Sequence, residues 1–396
     1  MTMTVDRTRR FALPGIQDLN KDQDEALALP MKGQHLIIGG PGTGKSVVAL
    51  LKARRLAQSE NAYRTLVYNQ LLDQSNRHLF GSEKTLSAKT WDSWFRDICR
   101  FFLKTVPTLE PDSPGGYRPV DWNTVLNQVQ QLENTGDHSQ RFLVIDEGQD
   151  MPPAFYQTLV NLGFENFYVV ADQNQQMNPD RCSSIQNIEN ALGIEKKDTK
   201  ELIINYRNTL PIARLAQHFY PDDPASPKPE LPEPGAADIT PELWRYGTND
   251  SPSLNEIIDR LLYLSDRFPK KLIGIITPNN VVREKFCDVL LRANPTLDNG
   301  KPPIQTFISG QKSSLNFGTG GIMVINAQSC KGLEFDIVIL ADIDQHKPKQ
   351  DIYALKSRFY VMVARGREQV IMLRTGSACP VVESLLPADS AILVRK

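Results

Sequence analysis

At 396 residues the chain is long enough for two or three domains, and its 40% hydrophobic and 23% charged residues exclude disorder over most of its length. A formal net charge of -1 gives no global attraction to nucleic acid, so any basic track must be a local patch. Five cysteines without a C-x-x-C pair and five dispersed histidines argue against a disulfide framework or a zinc site and fit a reducing cytosol.

The first residues, "MTMTVDRTRRFALPGIQ", carry charges with no apolar run after them, so no signal peptide is predicted, and Arg7, Arg9 and Arg10 read as a solvated tail. No apolar run approaches the ~20 residues of a spanning helix, so the expectation is a cytoplasmic protein. Beyond the tail, short apolar runs alternate with helical patterns, the mark of an α/β fold with parallel sheets. Strands are predicted at "HLIIG" (35–39), "TLVYN" (65–69), "FLVIDE" (142–147), "FYVVAD" (167–172) and "ELIIN" (201–205), with a helix over 45–59 and a small, partly helical insertion over 92–139.

The stretch "GGPGTGKS" after the first strand fits G-x-x-x-x-G-K-[ST] through Gly39, Gly44, Lys45 and Ser46. An apolar strand runs in and an amphipathic helix runs out, which is the context the motif requires. Its glycines let successive N–H groups point at one phosphate, and the helix N-terminus adds its positive end. Lys45 would reach the β/γ-phosphates and the Ser46 hydroxyl would ligate Mg²⁺. "RFLVIDEGQD" supplies the second half: Asp146 to hold Mg²⁺, and Glu147 to orient and deprotonate the attacking water. Alone, a D-E pair after a strand as often caps a helix; beside a phosphate loop it reads as catalytic.

Residues 221–235, "PDDPASPKPELPEPG", hold six prolines and mark a boundary. After them the alternation resumes with a helix near 253–267, the strand "KLIGIITP", a helix near 279–293, then "GIMVIN", "FDIVILAD" and "EQVIML". The prediction is two α/β units joined by a linker.

In this order the strings resemble a superfamily 1 helicase of the UvrD/Rep type, over roughly residues 17–375. "LNKDQDEAL" is similar to the adenine-reading Q motif, with Gln23 in the reading position, and Gly42, Thr43, Gly44, Lys45 and Ser46 belong to motif I. "TLVYNQLL" and "SAKTWDSWF" resemble motifs Ia and Ib, which implies nucleic-acid contacts at Tyr68, Asn69, Thr90 and Trp91. "IDEGQD" matches the D-E-x-Q-D form of motif II, and "VVADQNQQ" resembles motif III, implying Gln175 as a γ-phosphate sensor. "LIINYRN" implies that Tyr206 stacks on adenine and that Arg207 reaches the γ-phosphate. "CKGLEFD" places Glu334 near the nucleotide, and "FYVMVARGR" implies Arg365 as a second arginine finger.

The resemblance implies two RecA-like P-loop domains with parallel sheets and an ATP site at their interface. The expected boundaries are 1–215 for the ATP-binding domain, 216–240 for the linker and 241–396 for the second domain. It further implies ATP and Mg²⁺ as cofactors, single-stranded nucleic acid as partner (DNA ahead of RNA), and 3′–5′ travel.

The sequence also departs from that family. The large inserted subdomains are missing, Met177 and Asn178 stand where motif III continues into a base-stacking aromatic, and Ala364 replaces the usual Thr of motif VI. Asn326 and Gln328 replace the Thr and His ahead of motif V, keeping hydrogen-bonding groups for an altered backbone contact. For Trp91 and Trp94, core packing and base stacking both remain open. A second reading therefore stands beside the motor: a nucleotide-gated regulatory ATPase in a larger complex, for example with a nuclease in DNA repair or phage defence. A small-molecule kinase would leave the later arginine motifs unexplained, and a dehydrogenase has a different glycine pattern.

Overall fold

The computed structural model describes residues 6–9, 16–80, 88–111, 116–133, 138–176, 182–308, 314–346, 352–376 and 379–396. Contacts divide the chain into two compact units, one of Leu13–Ile203 with Asp223–Lys228, the other of Met1–Ala12, Ile204–Asp222 and Pro229–Lys396. The division is thus not a single cut near 215. Asp223–Lys228, inside the proline-rich stretch, counts with the first unit, and Ile204–Asp222 counts with the second.

In the first unit, six strands form one sheet: β1 (Gln34–Gly39), β2 (Ala62–Val67), β3 (Ala88–Thr90), β4 (His138–Ile145), β5 (Phe164–Ala171) and β6 (Thr199–Leu202), in the order β3-β2-β4-β5-β1-β6. Every ladder among them is parallel. The apolar runs read as strands because both sheet faces are covered. Leu36 and Ile38, Leu143 and Ile145, and Phe167 and Val169 enter one core, while their alternates Ile37, Phe142, Val144, Tyr168 and Val170 enter the other. Helices α1 (Lys21–Ala28) and α2 (Lys45–Gln58) cover the second face. The first face is covered by α4 (Trp91–Leu103), α5 (Trp122–Gln130), α6 (Pro153–Asn161) and α7 (Ile185–Leu192), while α3 (Gln70–Phe80) packs on β2 and β3. The predicted insertion 92–139 is therefore part of the domain core, since Phe95, Ile98, Val125 and Val129 join its apolar cluster.

The second unit has a seven-stranded parallel sheet, ordered β13-β7-β12-β11-β8-β10-β9. Its strands are β7 (Glu242–Tyr246), β8 (Leu272–Thr277), β9 (Ile304–Thr306), β10 (Gly321–Asn326), β11 (Phe335–Leu340), β12 (Gly366–Thr375) and β13 (Val394–Arg395). Helices α9 (Leu254–Arg267) and α10 (Asn280–Ala293) pack on Ile273, Ile275, Ile322, Val324, Ile337 and Ile339. Across the sheet lie α8 (Leu210–His218) and α11 (Ile352–Val363), with the short α12 (Pro380–Leu385) beyond. The α/β class with two parallel sheets is as the sequence predicts. β3, β7, β9 and β13 escaped it because they are short or lie in polar sequence.

One reading of the sequence is overturned. Arg9 is not in a solvated tail: it is 9% exposed, and its guanidinium pairs with Asp336 of β11 and donates to the Phe317 carbonyl. Backbone bonds from Arg9 N to Gly318 O and from Gly320 N to Arg7 O strap this arm onto the second unit. Arg10 lies outside the described residues.

Candidate functional site: a phosphate loop and an acidic strand edge

The strand order sets the site. β1 lies beside β5, and β5 beside β4, with Ile145 paired to Val169 and Val169 paired to Leu36. Residues far apart in sequence thus leave the sheet side by side at its carboxyl edge, where open α/β sheets hold ligands. The phosphate loop follows β1, Asp146 and Glu147 follow β4, and Asp172 to Gln175 follow β5.

The loop turns where glycine is required. Gly42 and Gly44 have φ of 80° and 89°, and a Cβ on Gly44 would come within 2.3 Å of Gln23 Nε2. Gly39 is equally constrained, since a Cβ there would meet the Leu202 carbonyl at 2.5 Å. Thr43 Oγ1 donates to the Gly40 carbonyl. The Lys45 ammonium folds over the loop, donating to the carbonyls of Gly39 at 2.7 Å and Gly40 at 2.8 Å, with Asp172 Oδ2 at 3.9 Å. No acidic residue occupies the first turn of α2, so its N-terminal end is left positive for an anion.

Gln23 is brought to this loop, as the resemblance implies, but its carboxamide is engaged by protein. Its Oε1 accepts from Asn20 N in a capping box, and its Nε2 donates to the Thr43 carbonyl. It buttresses the loop from α1.

Opposite lies a buried acidic group. Asp146 is 3% exposed; its Oδ1 accepts from Glu147 N, and its Oδ2 has no hydrogen-bond partner among the described residues. Burial and the neighbouring Glu147 charge push its pKa up to about 6, while Ser46 and Lys45 pull the other way. A desolvated, half-unsatisfied carboxylate beside a serine hydroxyl is the donor set a divalent cation requires. Among the described residues no group of three or more His, Cys, Asp or Glu could hold a metal by itself. An ion at Ser46 and Asp146 would complete its shell from phosphate oxygens and water, which suits Mg²⁺. The residues present fit a magnesium-bound triphosphate.

Glu147 takes the left-handed conformation (φ 55°) and is 5% exposed. Two residues that sequence reasoning passed over hold it. Gln149, wholly buried, donates from Nε2 to Glu147 Oε2 at 2.7 Å and accepts at Oε1 from Asp172 N at 3.0 Å. Asp172, also wholly buried, accepts from Gln175 Nε2 at 2.7 Å. Burial raises the Asp172 carboxyl above its ordinary range, against the pull of Lys45 and Gln175. The signal for both lay in quoted strings, "IDEGQD" and "VVADQ", at the ends of predicted strands.

The second unit gathers its own motif residues. Arg207 Nε donates to Glu334 Oε1 at 2.8 Å, and Arg207 Nη2 bonds the same oxygen. Burial alone would raise the Glu334 carboxyl; Arg207, with Arg367 and Arg365, holds it below the usual range instead. Asn208 donates to the carbonyls of Ala364 and Gly366, which fixes Arg207 beside the turn that carries Arg365. Arg365 is 1% exposed and donates from Nε to the Val361 carbonyl. Tyr206 is 55% exposed. Arg207, Glu334 and Arg365 are thus one cluster.

The expected nucleic-acid residues fare differently. Asn69 Oδ1 caps α3 by accepting from Leu72 N, and Thr90 occupies the N-cap position of α4. Tyr68 follows β2 and is half-buried. Trp91 packs on the core, stacked on Trp122 at 6.4 Å and edge-on to Phe155 at 5.6 Å, and Trp94 is buried. Trp94 is thus a core residue, whereas Trp91 is half-buried at the edge of the core. Asn326 bonds Thr277 and Asn280, while Gln328 is exposed. Met177 and Asn178 lie outside the described residues. Among the described residues no helix is long and apolar enough to cross a membrane.

No curated protein matches the sequence. Among solved structures, the chain is similar to the C-terminal domain of a possible DNA helicase from Lactobacillus plantarum WCFS1. That likeness has 15% identity, covers 48% of this chain and 97% of that one, and has a TM-score of 0.34, too low to carry an argument. Residues 32–178 are similar to a family described as an AAA domain. That segment runs from the phosphate loop through Asp146 and Glu147 to Gln175, so geometry and similarity agree on a P-loop nucleotide-binding unit.

Proposed function

We propose that the chain hydrolyses ATP and belongs with the superfamily 1 motors of the UvrD/Rep type, acting as a helicase or translocase on single-stranded nucleic acid, DNA ahead of RNA, with 3′–5′ travel. The observation that supports hydrolysis is the convergence of Lys45, Asp146, Glu147 and Gln175 at three adjacent strand ends. The loop N–H groups and Lys45 bind the phosphates, Ser46 and Asp146 hold the cation, and Glu147 takes the proton of the attacking water. Mg²⁺, when bound, supplies charge neutralisation on the phosphate oxygens. Gln175 senses the γ-phosphate. The resemblance gives Arg207 and Arg365 the part of arginine fingers, groups worth on the order of 10³–10⁵ in rate.

A second reading is favoured by the packing of Trp91 and the capping bond of Asn69, which occupy two groups that a single strand would need. In it the same ATPase switches a partner, such as a nuclease, without unwinding duplexes. The steady-state ATPase rate with and without single-stranded DNA and RNA separates them, with Lys45→Ala as control. A rise of about tenfold or more with one polymer supports the motor and names its track. A Lys45-dependent rate indifferent to both supports the switch, and no Lys45-dependent rate sinks both.

A further inference from the structure

Gln149 satisfies a buried backbone N–H, that of Asp172, and with the same carboxamide it reaches the Glu147 carboxylate. It lies in the one-turn 3₁₀ segment Gly148–Asp150 after β4 and is wholly buried. Its carboxamide is used at both ends, donating to Glu147 Oε2 at 2.7 Å and accepting from Asp172 N at 3.0 Å. Its backbone carbonyl also accepts from Ser183 N, so the residue itself is pinned.

The choice of a carboxamide is chemically narrow. The group between Glu147 and Asp172 N must donate to a carboxylate and accept from an amide at once. A glutamate there would repel Glu147. A lysine or arginine would neutralise the base and offer no acceptor. Asp172 in turn binds Gln175 Nε2 at 2.7 Å and stands 3.9 Å from the Lys45 ammonium. A continuous chain of polar contacts thus runs from Glu147 through Gln149 and Asp172 to Gln175, every member 5% exposed or less.

We infer that Gln149 is a positioning residue: it fixes the Glu147 carboxylate against the backbone of Asp172, so that the base and Gln175 stand in one register. The inference rests on the proposed hydrolytic role of Glu147. A displaced Asp172 would pull on Gln149 and re-aim Glu147, which gives the site a direct path from the strand end beside the γ-phosphate sensor to the base. Displacing the Glu147 carboxylate would cost rate without costing nucleotide affinity, because the phosphates are held by the loop and not by Glu147.

The test is Gln149→Met, which keeps size and packing but removes both bonds. It should lower kcat about 10–100-fold, with KM for ATP and the Kd of a fluorescent ATP analogue within about twofold of wild type. A kcat equal to wild type overturns the inference, as does a loss of analogue affinity that matches the loss of kcat. Crystal structures of both proteins without nucleotide give a readout independent of turnover. Displacement of the Glu147 carboxylate in Gln149→Met supports the inference, and an unmoved Glu147 overturns it. Should wild type show no Lys45-dependent hydrolysis, the ATPase reading fails, and the crystal comparison alone then decides whether Gln149 positions Glu147.

Discussion

Arg9 and Asp336, 327 residues apart, form a buried ion pair at 3.1 Å, with side chains 5% and 11% exposed. Asp336 Oδ2 also accepts from Leu272 N, so this carboxylate joins the N-terminal arm, β11 and the start of β8. Removing one partner of such a pair leaves the other charge desolvated. Arg9→Ala should therefore lower the stability of the second unit by about 3 kcal/mol, read by urea unfolding. Arg9→Met combined with Asp336→Asn should recover most of it.

Asp146 holds its charge at a cost to folding. Its pKa, pushed up to about 6, exceeds that of an unfolded aspartate, so the folded state binds its proton more tightly. Stability contributed by this group is present at low pH and is lost as pH rises through about 6. Asp146→Asn should thus raise stability at pH 7 by on the order of 1–3 kcal/mol and leave little difference near pH 4. Denaturant titrations across that range check it. Saturating Mg²⁺ with a nucleotide analogue should narrow the gap by stabilising wild type more than the variant, since the asparagine supplies no anionic ligand.

Gly44→Ala tests the loop. The substitution places a Cβ at φ 89° and drives it against Gln23 Nε2. We expect a loss of about 1–2 kcal/mol in stability and at least ~10-fold in ATP affinity. Gln23→Ala in the same background should restore part of the stability, because the colliding atom is then gone. Equilibrium binding of a fluorescent ATP analogue, with melting curves beside it, gives both numbers.

Arg207→Ala should destabilise the protein at pH 7 by about 1–3 kcal/mol, since it leaves Glu334 part-buried without its main counter-charge. Glu334 is held below its ordinary range, so its stabilising share exists above the unfolded pKa and is lost as pH falls through the folded one. The deficit of Arg207→Ala should accordingly shrink below about pH 4.5 as Glu334 protonates. A deficit independent of pH would show that Arg207 acts by packing.

The sequence alone determined that the chain is α/β, because apolar runs covered on both faces differ visibly from amphipathic helices, as at 35–39 and 45–58. It also determined the phosphate loop and its Lys45, since glycine spacing and flanking elements are local properties. Gln149 and Asp172 were in view but without roles, because what they bond is set by the order β4-β5-β1, a non-local fact. For the same reason the neighbours of Trp91, which are Trp122 and Phe155, could not be read from its own helix. Arg9 looked like tail because its partner lies 327 residues away. Local periodicity fixes elements. Only the tertiary structure decides which side chains meet, because burial and counter-charge come from segments distant in the chain.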